Sequence, residues 1–199
     1  LNKLQEDLER KTFIQDMLNH ANMEFEINEK MAYVNKIIEK YDDCADGYYY
    51  RGDFYIKFEK FYSAIKDFEK VIQLDKNYKE AYRGKGVCYS RLGDNDLAIK
   101  NYEKALQIDP NYEESYFNRS VAYLKQDDLR KAIKDLDKVI GLNPKNGEAY
   151  YNRALAYGRM ENHTKVIRDF SKAIKMGYKV GKSYCNRGKE YSLTGNFKK

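Results

Sequence analysis

The sequence predicts an all-α fold, a solenoid built from antiparallel helix pairs. Three observations carry the prediction. A short motif recurs every 34 residues: YYYRGDFY starts at 48, YRGKGVCY at 82, YFNRSVAY at 116, YYNRALAY at 150 and YCNRGKEY at 184. Periods of roughly 20 to 50 residues mark repeat architectures. Each period also holds two apolar stripes at i, i+4, i+7, the spacing of one helix face, and none holds the alternation of a strand.

The units run 45–78, 79–112, 113–146 and 147–180, followed by a half unit, 181–199. In the first helix of each, Tyr occupies the fourth position (Tyr48, Tyr82, Tyr116, Tyr150, Tyr184) and the eleventh (Tyr55, Tyr89, Tyr123, Tyr157, Tyr191). The eighth is small: Gly52, Gly86, Ser120, Ala154, Gly188. In the second helix, position 20 is Ala64, Ala98, Ala132 or Val166; position 24 is Phe68, Tyr102, Leu136 or Phe170; position 27 is Val71, Ala105, Val139 or Ala173. Small residues at 8 and 20 let two helices approach closely while aromatics fill the space beside them. Pro110 and Pro144 end the second helix of their units, because proline cannot continue one.

Residues 1–44 follow the pattern weakly. Leu18 and Ile37 sit at positions 8 and 27, but Lys30 stands where a small residue belongs. This segment reads as a degenerate helical pair capping the array, and its acidic character suits that role. Leu1, Leu4 and Leu8 could open a coiled coil, but one heptad is too little to argue it. The half unit ends in GNFKK, with Gly195 at the turn position after a first helix, and reads as a C-terminal cap or as a chain that continues.

With 42% hydrophobic and 34% charged residues, the 199-residue chain is too apolar for disorder and too polar for a membrane protein. Cys44, Cys88 and Cys185 are widely spaced and odd in number, which argues against a disulfide framework. With no apolar leader at its start, the chain is expected to be cytoplasmic. The net charge of +6 is uneven: residues 1–44 carry −4 and residues 165–199 carry +8. A basic end of this kind attracts acidic partners or nucleic acid, though a solvated helix surface is the plainer reading.

The columns at 4, 8, 11, 20, 24 and 27, with Pro at 32 in two units, resemble the tetratricopeptide repeat (TPR) family over 45–191. Units 79–112 and 113–146 match most closely; Lys76 and Tyr178 replace the proline in the other two. The resemblance implies a right-handed superhelix whose first helices line a concave peptide-binding groove.

The chain departs from that family at position 7, usually apolar, where it has Arg51, Lys85, Arg119, Arg153 and Arg187. Position 23 holds Asp67, Asn101, Asp135 and Asp169. Where 7 is Arg, 23 is Asp; where 7 is Lys, 23 is Asn. The columns predict an Arg–Asp pair between the two helices of a unit, bidentate where geometry allows. Such a pair fixes helix register more reliably than it adds net stability.

Position 6 holds Asn118, Asn152 and Asn186, and the family resemblance places it on the groove. An amide offers a donor and an acceptor together, and a ladder of them can hydrogen-bond an extended peptide backbone. Other groove residues by register are Tyr49, Arg83, Phe117 and Tyr151 at position 5, Lys125 and Arg159 at position 13, and Lys182 at position 2. Aromatic anchors beside cations suit a peptide with apolar and acidic side chains. The carboxylate clamp by which some TPR domains bind chaperone tails is incomplete: Arg83 and Asn118 fit loosely, whereas Val87, Glu148 and Asn152 do not.

Gly181-Lys182-Ser183 lacks the glycine spacing and preceding strand of a P-loop. His20 and His163 have no ligand or base partners at useful spacing. No catalytic residue, cofactor or metal is expected. The sequence therefore points to a non-catalytic protein-interaction scaffold. Two other readings are an acidic or nucleic-acid ligand on the basic C-terminal units and an adaptor portion of a larger assembly.

Overall fold

The computed structural model describes residues 2–22 and 27–195. These residues form eleven helices and no strand: α1 (Asn2–Asn22), α2 (Ile27–Lys40), α3 (Ala45–Lys57), α4 (Phe61–Leu74), α5 (Lys79–Arg91), α6 (Asn95–Ile108), α7 (Glu113–Lys125), α8 (Leu129–Leu142), α9 (Gly147–Arg159), α10 (His163–Lys175) and α11 (Val180–Leu193). The fold class is thus all-α, of the helix-pair solenoid kind. Helices α3, α5, α7 and α9 begin 34 residues apart. The chain divides into two compact units, Leu1–Leu92 and Gly93–Lys199.

In the first unit α1 packs on α2 and α2 on α3. Leu18, Ile37 and Cys44 are buried there with Phe13, Met17 and Tyr41 against them. Arg10 binds Asp43 through two hydrogen bonds of 3.1 and 2.5 Å. Leu4 and Leu8 are 76% and 61% exposed, so no heptad seam covers them; Leu1, like Phe197, lies outside the described residues. In the next pair the expected columns pack: Ala64, Phe68 and Val71 are buried with Ala81 and Cys88, and Tyr48, Tyr55 and Tyr89 lie against them. Burial also pushes the Cys88 thiol up to about 12. The Phe68 ring closes the space between α3 and α5. A Cβ on Gly52 would come within 2.8 Å of it, and one on Gly84 within 2.5 Å. These glycines are required for close approach rather than for backbone freedom.

In the second unit the same columns recur. Ala98, Tyr102 and Ala105 are buried on α6, Ala132, Leu136 and Val139 on α8, and Val166, Phe170 and Ala173 on α10. Ser120 and Ala154 are buried at position 8 of α7 and α9. Tyr150 and Tyr157 close the core between α9 and α10. Pro110 and Pro144 stand two residues beyond the ends of α6 and α8. On α11, Tyr184 is 52% exposed. Asp94, Asp128 and Asn162 cap α6, α8 and α10 by accepting hydrogen bonds from Leu97 N, Lys131 N and Lys165 N at 2.9, 3.3 and 3.3 Å. Each cap follows a residue of positive φ: Gly93, Asp127 and Glu161.

Candidate functional site

The seventh column is structural. Arg51 Nε and Nη2 donate to Asp67 at 2.8 and 2.7 Å, Arg119 to Asp135 at 2.7 and 2.8 Å, and Arg153 to Asp169 at 2.6 and 3.0 Å. All three carboxylates are buried. The hydrogen bonds to Asp67 hold the Arg51 guanidinium above its ordinary pKa. Burial pulls Arg119 down, but the bonds and charge of Asp135 outweigh it and the net shift is upward.

The column has a second partner that the sequence did not disclose. Each position-7 side chain also reaches position 25 of the preceding unit: Arg51 to Asn35 (3.4 Å), Lys85 to Glu69 (3.0 Å), Arg119 to Glu103 (3.9 Å), Arg153 to Asp137 (2.5 Å) and Arg187 to Ser171 (3.0 Å). Column 25 is polar throughout, which is the only signal that could have found it. Lys85 is bonded to Glu69, while the Asn101 amide turns back to Leu97 O at 2.8 Å. The joint change of 7 and 23 there marks a bidentate pair given up, since an ammonium cannot match the guanidinium fork.

The sixth column behaves oppositely. Asn118, Asn152 and Asn186 are half-buried on α7, α9 and α11, and none has a hydrogen-bond partner among the described residues. Asn143 and Asn146 of the same unit, by contrast, both donate to Glu113, at 3.2 and 2.8 Å. In the first unit this column holds no amide. Tyr50 packs against Tyr49, and Gly84 sits under the Phe68 ring, where an Asn side chain has no room.

Position 5 departs from the expectation of aromatic anchors. Tyr151 is 8% exposed, edge-on to Phe170 and Tyr178 at 5.5 and 5.6 Å. Tyr49 lies 6.0 Å from Phe68 and 5.2 Å from Tyr78, and accepts a hydrogen bond from Arg83 Nη2 at 3.3 Å. Phe117 packs beside Leu136, Val139 and Ala149. A ring beside the position-24 side chain gains more by burial than by facing water. Tyr151 is drawn into the core between helices, whereas Tyr49 and Phe117 remain half-buried.

Among the other expected groove residues, Arg159 donates to Leu124 O at 2.9 Å and pairs with Asp127 at 2.5 Å, while Lys125 is exposed. Lys182 is exposed and has no partner among the described residues. Asp46 and Glu148, at position 2, accept hydrogen bonds from Tyr78 and Tyr178 at 2.8 and 2.6 Å. His163 is not isolated as the sequence suggested: its Nδ1 lies 2.7 Å from Glu190 Oε2, joining α10 to α11. His20 Nδ1 lies 2.7 Å from Asp16 O.

The geometry defines a helical-repeat protein with an invariant packing scheme and a variable polar face. Tetratricopeptide repeat models match residues 45–78, 80–112, 101–134 and 147–176, and a TPR repeat model matches 122–161. The chain belongs to the tetratricopeptide repeat family. No curated protein matches the sequence. Among solved structures, a tetratricopeptide repeat protein from Parabacteroides merdae ATCC 43184 is 16% identical, with a TM-score of 0.74 over 94% of this chain and 74% of that one. YrrB, described as a TPR protein with an unusual peptide-binding site, is 24% identical, with a TM-score of 0.64 over 80% and 84%. The first TPR of Spaghetti (RPAP3), bound to an HSP90 peptide, is 24% identical, with a TM-score of 0.58 over 59% and 93%. These likenesses show the fold. Among the described residues no helix is long and apolar enough to cross a membrane.

Proposed function

We propose that the chain is a non-catalytic interaction scaffold that binds an extended segment of a partner protein along the face carrying Asn118, Asn152 and Asn186. The observation that carries this is the state of those amides. They recur every 34 residues, and they stay unbonded while the adjacent position-7 side chains Arg119, Arg153 and Arg187 are all bonded. Half-buried amides without partners satisfy a backbone's N–H and C=O groups in register. YrrB and the Spaghetti repeat support the reading as examples of this fold described with peptides.

The test is capture of partners by wild-type protein against Asn118→Ala/Asn152→Ala. Two amide hydrogen bonds contribute together about 1–3 kcal/mol, so affinity for a groove ligand falls about 5- to 150-fold. If the double variant retains every partner at undiminished affinity, the amides are not the site.

A further inference from the structure

The amide face ends in a defined pit. Between α9, α10 and α11 lies a cavity of about 280 Å³. Its floor is Ala154, Val166 and Phe170, all at most 2% exposed, and Leu155 stands at its rim, 40% exposed. Gly158 keeps it open, since a Cβ there would meet only Val166 Cγ2, at 3.9 Å.

The mouth is polar, with its one carboxylate turned to a histidine. Arg159 lines the pit with its stem, because its guanidinium is turned to Leu124 O and Asp127. The carboxylate of Glu190 is held by His163 at 2.7 Å. Lys189 and Asn186 also line the pit, and with Lys182 they fall at i, i+4, i+7 on one face of α11. None of the three has a hydrogen bond or ion pair among the described residues. An apolar hole thus lies beside the Lys189 ammonium and the Asn186 amide, with Lys182 on the same helix face, none of them partnered among the described residues.

We propose that this pit and the Lys182–Asn186–Lys189 row form one subsite. It takes an apolar side chain of a partner peptide together with an Asp or Glu one or two residues away. The inference rests on the groove reading above and adds the ligand's chemistry. The carboxylate meets the lysines while the neighbouring side chain displaces water from the Phe170 floor.

The test is panning of a random dodecapeptide phage library, which displays internal segments, on the full chain. Enriched peptides should combine an apolar residue with a nearby acid. A labelled one should bind about tenfold more weakly, or worse, to Gly158→Leu, which fills the pit, and to Lys182→Glu/Lys189→Glu, which reverses the row. The lysine pair is exposed, so it remains informative if Gly158→Leu misfolds. Changing the peptide's acid to its amide should weaken binding likewise. Peptides weakened by Asn118→Ala/Asn152→Ala but indifferent to both α9–α11 variants overturn the subsite and leave the groove reading standing. Enrichment of peptides without acids also overturns the subsite, and no enrichment at all overturns both.

Discussion

Arg119 and Asn118 are neighbours in opposite states: the guanidinium is bonded on both sides and the amide has no partner among the described residues. Asp135 has 5% of its side chain exposed, and both its oxygens are taken by Arg119. Arg119→Ala strands that carboxylate, so stability in urea should fall by about 3–5 kcal/mol. Replacing both partners, as Arg119→Met/Asp135→Leu, removes the charge as well and should be near neutral. If the double variant is as unstable as the single, the pair is not what makes the carboxylate tolerable. The pair was legible because columns 7 and 23 change together within one chain. The reach to column 25 was not, because Asn35, Glu69, Glu103, Asp137 and Ser171 share polarity but not charge. The burial of Tyr151 was not legible, because an aromatic looks the same in a core as on an open face.

The helices repeat one design with local lapses. The caps of α6, α8 and α10 are Asp94, Asp128 and Asn162, whereas α4 begins after Lys60, which makes no side-chain cap. Lys60→Asp should therefore stabilise the protein by about 0.5–2 kcal/mol, read as a higher midpoint in thermal unfolding. An unchanged or lower midpoint would show that the α4 start is already satisfied. Helix positions were legible from the 34-residue period and from Pro110 and Pro144. The turns were only half legible. Gly93 announces its positive φ and Asp127 hints at it, but Glu59 and Glu161 also adopt positive φ with nothing in the residue type to mark it.

Across the whole molecule, one packing scheme is constant and one polar column varies. Position 6 changes from Tyr50 and from Gly84, which sits under the Phe68 ring, to Asn118, Asn152 and Asn186. The array was plain in the sequence because repeated core positions reinforce one another. The site was legible only as a register, since which polar residues remain unbonded depends on distances. The claim that this column is a binding face is tested most directly by the side-chain amide signals of a ¹⁵N-labelled sample titrated with a library-selected peptide. The signals of Asn118, Asn152 and Asn186 should shift together and saturate at one affinity, while those of Asn143 and Asn146, already bonded to Glu113, stay in place. Saturable binding with the three column amides unmoved would contradict the account.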